Sequence, residues 1–125
     1  MVIHLAGLAD DCEELVTKLG KIEGIFVDEM VFSHGPSDAP VDCVGITLLG
    51  ALVPRRDDLG IQVQKLLTTF GCVIRTRLGV NEVYFGEPAG LILLELAGDR
   101  TQFVSLEKAL REIEDIAIGR ICFPA

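Results

Sequence analysis

The chain has 125 residues, half of them apolar, with few aromatics and no tryptophan. That length suits one domain or one and a half small ones, and the apolar share supports a sizeable core. A net charge of −8 and an isoelectric point near 4.6 argue against a nucleic-acid backbone or an anionic membrane as the main partner.

The chain opens on "MVIHLAG", too short for the apolar core of a signal peptide. A helix follows, because Leu15, Leu19 and Ile22 have i, i+4, i+7 spacing and predict one buried stripe. Asp10 followed by Glu13 is a capping-box pattern with Asp in the usual Ser/Thr place. Gly24 stands just past the helix, where a left-handed residue is wanted. Branched residues then run to Phe32 and read as a strand. Residues 1–34 therefore read as a βαβ half-unit. "SHGPSDAPVD" (33–42) is the clearest linker, with residues 35–42 at its centre.

The second unit starts with "VGITLLGALV" (44–53) as a strand. "DDLGIQVQKLLTTFG" (57–71) reads as a helix with its own stop, and "CVIRTRLGV" (72–80) as the next strand. "NEVYFGEPAG" (81–90) is a gap that reads as a hairpin loop, with Tyr84 and Phe85 as exposed aromatics of the kind that anchor interfaces. The third unit begins at "AGLILLELAG" (89–98) and ends at "ALREIEDIAIGRICF" (109–123).

Sliding the chain by 91 positions lays the third unit on the first without a gap. Leu5, Ala6 and Gly7 fall on Leu96, Ala97 and Gly98; Leu15, Leu19 and Ile22 fall on Leu106, Leu110 and Ile113; Phe32 falls on Phe123. Asp115 takes the place of Gly24 and can adopt the same left-handed conformation at some cost. The capping pattern returns as Asp99 and Gln102. Units two and three together make βαββαβ over residues 43–125, the ferredoxin-like α+β sandwich. Residues 1–34 are then an additional N-terminal half-unit, whose simplest completion is a second copy from another chain. The strands at 45–53 and 89–98 barely alternate, so both of their faces are expected to be covered. Three helices do not suffice for that, and a homodimer or higher oligomer is the expectation.

The stretch from Arg55 to Val80, followed by Gly90 to Phe123, resembles the ACT-like iron-only hydrogenase system regulators. The resemblance rests on a first helix ending in the Phe70-Gly71 pair, on Arg77-Leu78-Gly79, and on the phrase "KLGKIEGI" (18–25). It implies a ferredoxin-like domain over about residues 44–123. It also implies a ligand, in the wider ACT group often an amino acid, held at a subunit interface near the first helix start. The matching residues are Asp57, Asp58, Leu59, Gly60 and Ile61. Gly60 would let backbone N–H groups approach a ligand carboxylate. Asp58 and Leu59 replace the Arg and Pro of the family motif, and Asp58 repels a carboxylate.

Other candidates weigh as follows. Asp57 and Asp58 could be paired carboxylates for acid–base work or a metal, but they read first as N-cap and dipole partners of a helix start. Arg75 and Arg77, two apart on one strand, and Arg55 and Arg56 form two pairs that would make an anion site if they met. His4, His34, Cys12, Cys43 and Cys122 lack the short spacing of zinc ligands, so no metal is expected. The four cysteines have no C-x-x-C, and with no leader they read as reduced core thiols of a cytoplasmic protein. No phosphate-cradling glycine motif occurs, and no cofactor is expected. The leading expectation is a non-enzymatic, ligand-sensing regulatory domain. The alternatives are a small dimeric enzyme with an interface site, using His4 or Arg75, and a structural partner subunit.

Overall fold

Near-continuous apolar runs become strands here because helices seal one side of them. The computed structural model describes residues 1–5, 7–37, 45–84 and 86–123, without the side chains of Asp57 and Tyr84. Helix α1 spans Ala9–Gly20; then come β1 (Ile46–Pro54), α2 (Asp57–Thr69), β2 (Ile74–Tyr84), β3 (Glu87–Leu96), α3 (Arg100–Arg111) and β4 (Ala117–Phe123). The four strands form one antiparallel sheet in the order β2-β3-β1-β4. This is the βαββαβ arrangement expected for the second and third units. The expected hairpin loop is shorter than the sequence implies, since β2 and β3 run to Tyr84 and Glu87 and turn at Gly86 (φ 79°). Phe85 and the Tyr84 side chain lie outside the described part.

One sheet face carries Leu49, Ala51, Val53, Leu94, Leu96 and Ile118, packed on Leu59, Val63 and Leu67 of α2 and Phe103, Leu106 and Leu110 of α3. Leu106, Leu110 and Ile118 are fully buried. Each such fully buried side chain contributes roughly 1.5–3 kcal/mol relative to exposure. Asp99 caps α3 by accepting from the Thr101 backbone N–H at 2.9 Å. Beyond α3, Asp115 takes the left-handed conformation (φ 68°) that its counterpart Gly24 also takes (φ 83°).

The opposite face carries Leu52, Ala89, Leu91 and Ala117. It is covered in its middle by the chain's own N-terminal segment rather than by a second sheet. Gly50 and Gly119 are paired across β1 and β4. A Cβ built on Gly50 would overlap Met30 Sδ, and one on Gly119 would stand 2.6 Å from Met30 Cγ. The two glycines are a slot into which Met30 and Phe32 settle. Phe26 meets Phe123 edge to face, with centroids 5.6 Å apart. Towards β2 the face stays open: Leu78 and Val80, opposite Leu93 and Leu91, are 52% and 39% exposed.

Residues 1–34 depart from the βαβ half-unit read from the sequence. Among the described residues the helix forms, but neither flank is a strand; the nearest to one is the single bridge between Ser33 and Ile118. A strand needs a ladder partner along its length, and this segment lies across the sheet rather than beside it. Nor is the stripe on α1 buried: Leu15 and Ile22 are exposed, and the helix buries no residue. The cap differs too. Leu8, not Asp10, holds the N-cap position and makes no side-chain bond, because α1 begins one residue before Asp10.

The linker starts later than its composition implies, for residues 33–35 are strapped to the β4 edge. Ser33 and Ile118 exchange backbone hydrogen bonds at 2.9 Å. Arg111 donates to Ser33 O, Ser33 Oγ and Gly35 O, at 3.3, 3.1 and 3.2 Å. Residues 38–42 of the linker lie outside the described part.

Candidate functional site

The α2 helix starts directly after β1, where Arg56 in extended conformation turns the chain and offers no side-chain cap. Asp58 is therefore inside the first turn, where a carboxylate faces the positive end of the helix dipole. Asp58 and Leu59 line an open groove between the start of α2 and the end of α3. Arg56, Gln62 and Lys65 complete the α2 wall, and Glu112, Ile113, Glu114 and Asp115 form the other. Arg56 Nη1 meets Asp115 Oδ2 at 2.6 Å across the groove. Both side chains are more than half exposed, so this pair contributes little to stability and yields readily. The groove thus holds two cations beside four carboxylates, over an apolar floor that includes Leu66.

The candidate residues do not all converge there. Leu59 turns into the core, 5% exposed, while Ile61 is 59% exposed and outside the groove lining. A Cβ at Gly60 would meet nothing within 4 Å, so close approach within this chain does not require glycine there. Arg77 donates to Gln64 Oε1 at 2.7 Å, midway along α2. Arg75 sits exposed at the register shift of β2. The two arginine pairs are not joined either. Arg55 bonds Asn81, four residues along β2 from Arg77, which is about 13 Å of strand. The side chain of Asp57 lies outside the described part.

His4 Nε2 lies 2.9 Å from the buried Oε2 of Glu82, and the contact becomes an ion pair when the ring is protonated. His34 Nδ1 is 3.2 Å from Ile116 O. The two histidines therefore sit at opposite edges of the sheet, on strands three spacings or about 14 Å apart. Among the described residues no three His, Cys, Asp or Glu side chains group to hold a metal. Cys12 and Cys72 are free thiols, whereas Cys122 is disulfide-bonded. That last point departs from the expectation of four reduced thiols. A disulfide depends on how near the fold brings two sulfurs, not on spacing in the chain.

A polar cluster that the sequence reading passed over lies behind the sheet. Glu107 accepts from Arg111 Nε at 3.0 Å and from Arg120 Nη1 at 3.2 Å, all three nearly buried. Thr47, 3% exposed with an unpaired hydroxyl, lines the adjoining cavity of about 20 Å³. Such a volume holds one water. The legible part was the Glu107–Arg111 spacing of four on a helix. Their counterparts in the first unit, Val16 and Gly20, have no such chemistry. Among the described residues, Asp99 is the group whose titration is displaced. The Thr101 hydroxyl, then its backbone N–H, hold the carboxyl below its ordinary value of 3.8.

The fold is thus an α+β, ferredoxin-like sandwich with an added N-terminal helix and cover. Among solved structures it is similar to an uncharacterized protein, TM1266 from Thermotoga maritima, with a TM-score of 0.52 and 20% identity. The match covers 63% of this chain and 96% of that one. It uses nearly the whole of that protein and leaves more than a third of this one outside. No protein-family model and no curated protein matches the sequence. No helix among the described residues is long and apolar enough to cross a membrane.

Proposed function

We propose that this is a non-enzymatic, ACT-like regulatory domain that senses a small molecule and acts as a homo-oligomer. The observation that carries the reading is the groove between α2 and α3, where opposite charges face each other over an apolar floor. An amino acid presents the complementary set. Its ammonium would pair with Asp58 and Glu112, its carboxylate with Lys65 and with Arg56 released from Asp115. This arrangement relocates the effector from the backbone of residues 57–61 to the side chains beside them, and removes the conflict between Asp58 and a carboxylate. Arg75 and Arg77 take no part. Binding would alter how the ends of α2 and α3 sit and so bias the packing of subunits. Resemblance to hydrogenase system regulators supplies the context in which such a signal would be read.

A thermal-shift screen against amino acids, nucleotides and divalent cations tests the reading. A ligand at ten times its Kd should raise Tm by roughly 5 °C. Asp58→Asn and Lys65→Ala should each remove the shift while leaving the unliganded Tm unchanged. A flat response to the whole library would overturn the sensing role, and a response to cations alone would redirect it to metal binding.

A further inference from the structure

The helix α1 is amphipathic, buries no residue, and leaves Leu8 and Leu15 exposed at 73% and 37%. Leu8, Cys12, Leu15 and Leu19 follow one another at spacings of four, three and four. That is the spacing of a coiled-coil seam, with Cys12 and Leu19, each half-buried, at a positions and the exposed Leu8 and Leu15 at d positions. The flanking g positions are Asp11 and Lys18, of opposite sign.

We infer that α1 is a self-association surface on which the α1 of a second copy packs antiparallel. The assignment of the occupant rests on charge and register together. Two-fold symmetry requires each residue's partner to be matched in return. When one α1 is laid against another in reverse, Leu8 meets Leu19 of the second copy and Cys12 meets its Leu15. The same register brings Asp11 against Lys18 of the second copy, and Lys18 against its Asp11, so both charge pairs close at once. A parallel pairing would instead set Asp11 against the e-position Val16 of the second copy, and would close no charge pair within the helix. Lys18 already pairs with Glu14 of its own helix at 2.9 Å, but both side chains are more than 60% exposed, so it exchanges partners at little cost. The inference deepens the homo-oligomeric part of the proposed function and is independent of the ligand.

Sedimentation of the full-length protein tests it with two charge reversals. Asp11→Lys gives a helix with lysine at both g positions, and Lys18→Asp one with aspartate at both. The wild type should be dimeric at micromolar concentration. Each single variant should dimerise about tenfold more weakly, from two attractive pairs turned repulsive. An equimolar mixture should recover wild-type affinity as a heterodimer, and circular dichroism should show unchanged helix content throughout. A monomeric wild type overturns both this inference and the oligomeric reading. Variants as tightly dimeric as the wild type overturn the α1 pairing and leave oligomerisation to another surface. Weakened variants that fail to recover on mixing overturn the antiparallel register.

Discussion

Residues 100–123 and residues 9–32 are written on one pattern and reach different ends. Their helices occupy corresponding positions to the residue, Arg100–Arg111 and Ala9–Gly20, and each is followed by a corner that closes on a left-handed residue. The first helix of that comparison is sealed into the core: Leu106 and Leu110 are 0% exposed. Their counterparts on α1 are an exposed Leu15 and a half-buried Leu19. After the corner, one copy becomes β4 and the other a cover laid across the sheet. Helix and corner need only local bonds, so both copies make them. A strand needs a neighbour along its length, and of these two copies it is the third unit that finds one, in β1.

The widest separation of the two copies is expected at their equivalent leucines. Leu110→Ala should destabilise by about 3 kcal/mol, since a fully buried site is left with a cavity. Leu19→Ala should cost less than about 1 kcal/mol in the monomer, because the site is only partly buried. Urea unfolding at low protein concentration measures both, and equal losses would mean that α1 is packed as firmly as α3.

Glu107→Ala should follow at about 3 kcal/mol, because it takes the shared carboxylate away from Arg111 and Arg120 in a nearly dry site. Its counterpart Val16 has no ion partner to lose, so Val16→Ala should be several times milder in the same assay.

Gly119→Ala should cost about 1–3 kcal/mol through overpacking against Met30 and the Val31 carbonyl, which stand 2.6 and 2.9 Å from the new Cβ. Hydrogen exchange should rise over residues 30–33 and stay unchanged in α3. Unchanged exchange throughout would mean that the cover is not seated in the glycine slot.

The smallest effect belongs to the caps. Native Asp99 titrates below its unfolded value, so its contribution is present above the ordinary value of 3.8 and is lost as pH falls through the lower native one. Asp99→Asn keeps a good cap and should flatten that acid limb of the stability curve. Leu8→Ala, at the equivalent place on α1, should leave the monomer's curve unchanged at every pH. An acid limb that persists in the Asn variant would assign the loss to other carboxylates.

Much of the candidate site was hidden by the same division. The start of α2 was legible from Asp57, Asp58 and Gly60, and Asp58 does line the groove. The opposite wall, Glu112 to Asp115, was visible as a corner but not as a wall, because nothing local says that α3 ends beside the start of α2. The partner of Arg77, Gln64, was not legible for the same reason, since strand twist and helix placement settle it.

By its own spacing the sequence determined the three helices, the Asp115 corner, the two hairpin-linked halves and the apolar runs that became the sheet, since each is encoded within a few turns of chain. Tertiary structure alone decided which copy of the repeat would be buried, that Met30 and Phe32 would close over Gly50 and Gly119, and that Glu107 would gather two arginines. Those outcomes depend on which surfaces compete for one sheet, and a sheet with two faces and two edges has room for one copy at β4.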